Sequence, residues 1–219
     1  MQLAILNSSH AARPLVPLVR VTSVLGLVCA DHRMLNPKTA AIGRVSVQKI
    51  ETYSAFETLR DGCRVEIRAL RSDDRADFVA AVDRTSDRSL QRRFFGSKRT
   101  FTDREVDFFV NVDFVNHVAL VATIDEAGRS VIAGGGRYIV VGTGCAEVAF
   151  VVVDKYQGRG VGKALMSHLT TIARAAGLHT FIAEVLSANT VMLQLFKTSG
   201  LRLSTMREGE VVHVTVSLS

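Results

Sequence analysis

Residues 148–177, VAFVVVDKYQGRGVGKALMSHLTTIARAAG, decide how the rest of this chain is organised. The stretch opens with an apolar run at residues 148–153, crosses a turn rich in glycine, and continues with apolar residues at helical spacing that end at Gly177. It therefore predicts a buried strand, a glycine-rich turn and an amphipathic helix. Such a turn suits a phosphate, because glycines let backbone N–H groups approach closely and the helix dipole attracts negative charge.

Two common phosphate-binding turns fit these glycines incompletely. The nucleoside-triphosphate loop requires Ser or Thr after Gly-Lys, but Ala164 follows Gly162 and Lys163, so the hydroxyl that binds magnesium is missing. The dinucleotide fingerprint G-x-G-x-x-G has Lys163 in place of its third glycine when the count starts at Gly158. Neither turn is therefore the best description of this stretch.

A third pattern, Gln-x-x-Gly-x-Gly, is matched in full by Gln157, Gly160 and Gly162. The rest of the chain sets this turn in a defined order of elements: a strand, two or three helices, three strands, the turn with its helix, a strand, a helix and a hairpin. We expect strands at residues 65–70, 117–124, 130–141, 145–153, 180–186, 201–206 and 211–217, and helices that begin near residues 72, 86, 102, 161 and 189. The fold class is α/β (α+β).

The composition is that of a globular domain with a small excess of positive charge. Hydrophobic residues make up 47%, and Lys+Arg 27 against Asp+Glu 21 leaves a net charge of +6. No basic run alternates with aromatic residues, so we expect no nucleic-acid partner. The three cysteines are far apart and the six histidines lack ligand spacing, which predicts a reducing compartment, no disulfide framework and no metal site.

Residues 1–62 differ from the rest and predict an N-terminal extension, partly disordered or packed on a domain at residues 63–219. Arg13 and Arg20 precede an apolar run at residues 21–29, which is too short to span a membrane. Residues 28–30 approximate a signal-peptide cleavage site, but an extension that arises from an upstream start codon, with Met34 as the alternative start, is the favoured interpretation. Residues 49–61 predict a short helix that leads into the domain.

With this turn and this order of elements, residues 65–218, about seven-tenths of the chain, resemble the GNAT superfamily of N-acetyltransferases. The resemblance implies a mixed central sheet with a splayed strand pair and flanking helices, and a site for the pyrophosphate of acetyl-coenzyme A. Four shorter stretches resemble the bacterial protein-lysine acetyltransferase branch: residues 89–95 (SLQRRFF), 102–110 (TDREVDFFV), 117–122 (HVALVA) and 146–152 (AEVAFVV).

The resemblance also assigns the coenzyme-binding residues. Backbone groups of the strand before the turn hold the pantetheine arm, the turn cradles the pyrophosphate, and the start of the last helix contacts the coenzyme or orders the splayed strand. The positions are Phe150, Val151, Val152, Gln157, Gly158, Arg159, Gly160, Val161, Gly162, Lys163, Asn189 and Phe196.

Two positions depart from the pattern of the family. Phe196 stands where many members carry a tyrosine that protonates the thiolate. Water or Tyr156 must then replace that tyrosine, or the thiolate leaves unaided. Asp154 stands where a proline is common, and we expect it to alter the turn slightly without removing a ligand.

An amine must lose a proton before it attacks a thioester, so the reaction needs a base. Glu147 is the preferred candidate because it lies among apolar residues on the strand before the turn, where burial raises the pKa of a carboxyl group. The lysine-acetylating branch often carries a glutamate at that position. Glu184 is the second candidate, five residues before Asn189. Both also fit an ordinary strand carboxylate.

The sequence thus predicts transfer of an acetyl group from acetyl-CoA to a primary amine, with a protein lysine as first choice and no metal. A small-molecule amine acetyltransferase and a non-catalytic acyl-CoA-binding regulatory module are the alternatives. Arg88, Arg92 and Arg93 are suited to guide an acidic substrate, to reach a coenzyme phosphate, or to form a solvated helix face. We expect a cytoplasmic monomer or homodimer without a membrane partner.

Overall fold

The computed structural model describes residues 50–96 and 100–219, which build one mixed sheet flanked by helices. Its eight strands follow the spatial order β1-β2-β3-β4-β5-β6-β8-β7. They are β1 (Ser54–Thr58), β2 (Arg64–Ala69), β3 (His117–Glu126), β4 (Arg129–Gly142), β5 (Cys145–Val152), β6 (Thr180–Leu186), β7 (Arg202–Glu208) and β8 (Val211–Ser217). The α-helices are α1 (Arg75–Asp83), α2 (Asp87–Phe94), α3 (Asp103–Val110), α4 (Val161–Ala175) and α5 (Thr190–Lys197). The predicted fold class is confirmed.

Helices cover both faces of the sheet, which explains why its central strand is apolar throughout. Residues 117–124 of β3 are all buried, as expected for a strand with packing on both sides. On one face, α4 packs its apolar stripe against the sheet, with Leu165 and Leu169 fully buried. On the opposite face, α1 packs against β4 and α2 against β5. This second face carries the polar side chains of the candidate site.

Strands β5 and β6 form a parallel pair that separates after three residues. Cys145, Ala146 and Glu147 pair with Thr180, Phe181 and Ile182, and the pairing stops there although both strands continue. Strand β6 pairs along its whole length with β8 on its other side. The predicted splayed strand pair is confirmed, and its vertex lies at Glu147.

The three consecutive glycines of β4 predict a bulge or a close backbone contact, and both are present. The register between β3 and β4 shifts between Ala122 and Thr123, next to Gly134. At Gly136, an added Cβ would lie 2.8 Å from the ring of Phe150, so no larger residue fits without movement. The glycines therefore allow β5 to approach β4 closely just before the turn.

The short helix predicted over residues 49–61 is wrong. Ser54–Thr58 forms strand β1 instead, antiparallel to β2, with Phe56 opposite Glu66. Alternate residues of β1 are half-buried, which is the period of a strand, but five residues are too few to display that period in the sequence. Residues 1–49, with the expected cleavage site and alternative start, lie outside the described part of the chain. The domain boundary at residue 63 stays a prediction.

Candidate active site

The separation of β5 from β6 leaves one backbone edge of β5 unpaired in the part of the chain that the structure describes. Beyond Glu147, β5 pairs with β4 alone, as Phe150, Val151 and Val152 lie opposite Gly136, Gly135 and Gly134. An unpaired strand edge offers N–H and C=O groups to an extended ligand. The side-chain amide of Gln157 donates to the Val152 carbonyl at 3.0 Å, so this one acceptor already has a partner.

The glycine turn presents the start of α4 to solvent. Gly158 and Gly160 have φ values of 75° and 107°, in the region that favours glycine, and Gly160 is the N-cap of α4. The first bond within the helix runs from the Ala164 N–H to the Gly160 carbonyl at 3.0 Å. The N–H groups of Val161, Gly162 and Lys163 therefore precede the helical ladder and are available for an anion.

Two side chains of the turn, those of Arg159 and Gln157, bind neighbouring parts of the fold. The Arg159 guanidinium forms an ion pair with Asp61 in the turn between β1 and β2, and the hydrogen bond holds the pKa of Asp61 below its usual value. Gln157 donates to the Ser89 hydroxyl at 3.1 Å. Lys163 is exposed on the first turn of α4. Arg159 and Gln157 thus hold the turn against its neighbours, while the backbone N–H groups at the start of α4 stay available to an anion.

Asp154, which departs from the family pattern, fixes the start of α2. Its carboxylate accepts from the Ser86 N–H and hydroxyl, both at 2.8 Å, and from the Ser89 hydroxyl at 3.0 Å. Burial alone would raise the pKa of Asp154, but these hydrogen bonds hold it below the usual value. The residue therefore couples the turn to the helix that carries Arg93.

Glu147 lies on the face of the sheet that α1 and α2 cover, at the vertex of the splayed pair. It is half-buried, and the strand alternates so that Glu147, Ala149 and Val151 share this face. Burial raises the pKa of Glu147, the positive charge of Arg93 lowers it, and the negative charge of Glu184 raises it again, with a raised pKa as the result. A carboxylate with a raised pKa at an open strand edge has the properties of a general base.

Glu184 lies on the same face of β6 but has a partner of its own. It stands opposite His213 on β8, and its carboxylate is 3.7 Å from the imidazole Nδ1. It is half-buried, as Glu147 is. The two glutamates lie on neighbouring strands, close enough for the negative charge of Glu184 to raise the pKa of Glu147.

The remaining residues assigned from the sequence have structural roles in the fold. Asn189 is buried and caps α5 by accepting from the Met192 N–H at 3.2 Å. Phe196 is 1% exposed and packs edge-on against Phe150. The Tyr156 hydroxyl donates to the carboxylate of Glu126, so this tyrosine is engaged at the end of β3.

A cavity lies between the sheet and helices α1–α3, beside Glu147. It is partly open to solvent, and its walls are apolar except for Thr85 and two arginines. Arg93 reaches it from α2, and Arg137 from β4, where it stands opposite Ala149. The sequence singled out Arg93 but missed Arg137, although a lone arginine among the apolar and glycine residues 131–141 is a signal that could have found it.

Burial lowers the pKa of both arginines, and the positive charge of Arg93 lowers that of Arg137 further. Burial and the positive charge of Arg93 lower the pKa of Arg137 to about 9. Burial also lowers the pKa of Arg93, against the attraction of Glu147. Nearby His117 is buried, and burial together with Arg137 lowers its pKa to about 4, so it is neutral near pH 7. The face around Glu147 is therefore electropositive.

The described residues hold no group of three or more His, Cys, Asp or Glu side chains placed to bind a metal ion. Among them there is also no helix with the length and apolar character that crossing a membrane requires.

Comparison with known proteins gives consistent matches. Residues 82–201 match the model of the family described as Acetyltransferase (GNAT) family. A Pseudomonas aeruginosa protein named as an acetyltransferase is 32% identical over 160 residues, which cover 68% of this chain and 86% of that protein. Acetyltransferase Pat of Mycolicibacterium smegmatis is 35% identical over 117 residues, which cover 52% of this chain and only 34% of Pat. The solved GNAT domain of S. lividans PAT has a TM-score of 0.69 at 34% identity, over 75% of this chain and 96% of that domain.

Proposed function

The chain belongs to the GNAT acetyltransferase family, and we propose that it transfers an acetyl group from acetyl-CoA to the side-chain amine of a protein lysine, with Glu147 as general base. The observation that carries this proposal is the position of Glu147 at the vertex of the splayed strands, with a raised pKa. A base at this point lies beside the unpaired edge of β5 and beside an electropositive cavity.

The proposed coenzyme site combines the two backbone features described above. The unpaired edge of β5 at Phe150 and Val151 takes the pantetheine arm, and the free N–H groups at the start of α4 take the pyrophosphate. Gly160 allows the backbone conformation that aims these groups outward. Gln157 and Arg159 hold the turn in place through Ser89 and Asp61. Because acetyl-CoA is an intracellular metabolite, we place the reaction in the cytoplasm.

The chemistry is a direct transfer. Glu147 accepts a proton from the ammonium group of the acceptor, and the neutral amine then attacks the thioester carbonyl. A C–N bond forms, the nitrogen releases its remaining surplus proton to solvent, the C–S bond breaks, and the electron pair leaves on the thiolate of coenzyme A. Phe196 cannot donate a proton and Tyr156 is bound to Glu126, so the thiolate takes its proton from solvent. Arg93 favours the ionised form of Glu147 and thereby keeps the base active near neutral pH.

The assignment of a protein lysine as acceptor depends on fewer observations than the assignment of the chain to its family. It rests on the similarity to two proteins named Pat and PAT, and on sequence stretches around β3 and β5 that resemble the protein-lysine branch. A small-molecule amine is the second candidate acceptor, and a regulatory module that binds acyl-CoA without turnover is the third possibility. A monomer and a homodimer are both compatible with this chemistry.

The experiment is a measurement of free-thiol release from acetyl-CoA with two sets of acceptors. One set is a pool of lysine peptides, and the other is a panel of polyamines, amino acids and aminoglycosides. We expect turnover with peptides and little with small amines. Turnover with small amines alone would contradict the lysine assignment, and binding of acetyl-CoA without turnover in either set would favour the regulatory module.

A further inference from the structure

The cavity beside Glu147 contains more positive charge than the transfer of an acetyl group requires. Arg137 uses Nη1 for both the Phe109 carbonyl at 3.2 Å and the His117 ring at 3.0 Å. Its other two guanidinium nitrogens, and all those of Arg93, make no hydrogen bond with any residue in the described ranges 50–96 and 100–219. Among the described side chains no buried nitrogen lacks a hydrogen-bond partner, so these guanidinium nitrogens are accessible from the cavity and can bind a ligand there.

The aromatic rings around these arginines hold them in place without neutralising them. The guanidinium of Arg137 lies 4.7 Å from the ring centre of Phe109, and that of Arg93 lies 5.0 Å from the ring centre of Phe94. Such stacking is favourable and orients the planar groups, but it adds no negative charge. Two oriented guanidinium groups thus face a cavity whose ligand should carry a carboxylate or a similar anion.

A glycine in the cavity wall creates room for a ligand chain. Gly135 lines the cavity from β4, and a Cβ added there would meet a single neighbouring atom, the Leu120 carbonyl oxygen at 3.5 Å. Its φ lies outside the region that favours glycine, so the backbone does not require glycine at this position. The absent side chain instead widens the cavity opposite Val151, on the strand proposed to bind the pantetheine arm.

We propose that this cavity binds the acyl chain of a coenzyme A thioester that ends in a carboxylate, such as a succinyl group, through Arg93 and Arg137. The inference rests on the proposed acyl transfer and adds a specificity for the donor. The apolar wall of the cavity suits the methylene groups of such a chain. Phe150 and Val151 line both this cavity and the proposed pantetheine site, which makes the acyl end of the donor the nearest source of a ligand.

The test compares succinyl-CoA with butyryl-CoA, because their acyl chains have the same number of carbon atoms and differ in the terminal carboxylate. With one lysine peptide as acceptor, we expect kcat/KM to be roughly tenfold or more higher for succinyl-CoA, the factor typical of a hydrogen bond to a charged group. Arg93→Gln and Arg137→Gln should each remove most of this preference. Arg129→Gln changes an exposed arginine on β4, the strand of Arg137, and should preserve the preference for succinyl-CoA.

A second variant tests the shape of the cavity separately from its charge. Gly135→Leu places a side chain in the cavity, and we expect it to lower kcat/KM for succinyl-CoA and butyryl-CoA by a similar factor, relative to acetyl-CoA. Because each ratio is measured within one variant, a general loss of activity does not imitate the result.

Three outcomes would overturn the inference. One is equal or better use of butyryl-CoA by the wild type, and another is an unchanged donor ratio in both arginine variants. The third, measured with lysine peptides that differ in their acidic residues, is an effect of the arginine variants that depends on the peptide and not on the donor, which would assign the arginines to the acceptor. If none of the three donors, acetyl-CoA included, supports turnover, the proposed function itself fails, and that result is distinct from these three.

Discussion

At the scale of the residue, Glu147 and Glu184 differ in their partners more than in their positions. Both lie on the same sheet face of adjacent strands, and both are half-buried. Glu184 has His213 as a neighbour at 3.7 Å, whereas the main charge acting on Glu147 is Arg93. The sequence could identify both glutamates as strand carboxylates, but these partners come from other elements, so their distinct settings were not predictable.

The first prediction concerns the pH dependence of the reaction. Glu147 must be ionised to accept a proton, so activity falls as the pH drops through its pKa. Arg93 lowers this pKa, and Arg93→Gln should therefore move the acidic limb of the profile of kcat/KM against pH to higher pH. The profile is measured with acetyl-CoA as donor and one lysine peptide as acceptor.

Arg92→Gln is the matched control for this shift. Arg92 is the adjacent residue on α2, and its guanidinium donates to the Ala188 carbonyl at 3.3 Å, away from Glu147. This variant should leave the acidic limb in place. An acidic limb that stays unchanged in Arg93→Gln would mean that Glu147 does not determine the pH profile.

A second prediction at this scale concerns stability. Arg68 donates two hydrogen bonds to Asp74, at 2.7 and 2.6 Å, and their side chains are only 11% and 7% exposed. Asp74→Asn leaves Arg68 buried without its counter-charge, which should lower the free energy of unfolding by about 3–5 kcal/mol. Asp103→Asn breaks an ion pair with Arg75 in which the aspartate is 95% exposed, and should cost about 1 kcal/mol or less.

The pH dependence of the same pair has a definite sign. Burial raises the pKa of Asp74, but the hydrogen bonds from Arg68 and from the Arg71 N–H hold it below the ordinary value of 3.8. The stabilisation is therefore complete above that value and is lost as the pH falls through the lowered pKa. Urea unfolding at a series of pH values should show a constant gap between wild type and Asp74→Asn near neutrality. A gap that narrows already near pH 6 would contradict this assignment.

At the scale of the element, the glycine turn and α4 were the part of the fold best predicted from the sequence. A buried strand, positive-φ glycines and a helix are all specified by neighbouring residues, so local sequence contains the necessary information. The side chains of the turn were less predictable. Arg159 and Gln157 contact Asp61 and Ser89, which are about a hundred and about seventy residues away in the chain.

The prediction at the scale of the element concerns Gly160, at the start of α4. Gly160→Ala forces alanine to a φ of 107° and tilts the first N–H groups of α4. We expect a loss of about 1–2 kcal/mol in the free energy of unfolding and an increase of about tenfold in KM for acetyl-CoA, with a smaller change in kcat. Steady-state kinetics and urea unfolding of the same samples measure the two effects.

Gly200→Ala separates strain from binding. Gly200 also has a positive φ, of 79°, beyond the end of α5, and an added Cβ meets no atom within 4 Å. The variant should lose stability through backbone strain, as Gly160→Ala does, and keep the KM for acetyl-CoA of the wild type. If the two variants raised KM equally, the turn would have no special role in binding the coenzyme.

At the scale of the whole molecule, features formed by residues close together in the sequence were easier to predict than features formed by distant residues. The order of strands and helices, the splayed pair and the close contact at Gly136 could be predicted, because the patterns are local or belong to the family. The edge strand β1 could not, since its five residues gain their structure from pairing with β2. The cavity could not be predicted from the sequence either, because its walls come from α1, α2, α3, β4 and β5.

The central claim is that Glu147 removes the proton from the attacking amine. Its most direct test is kcat for acetyl transfer to a lysine peptide in the wild type, Glu147→Gln and Glu184→Gln, with acetyl-CoA binding followed by thermal shift. We predict that Glu147→Gln lowers kcat by roughly 10²–10⁴-fold with coenzyme binding intact, and that Glu184→Gln changes kcat by only a few-fold. A Glu147→Gln variant that retains the kcat of the wild type would contradict the claim, and a collapse in Glu184→Gln alone would move the base to β6.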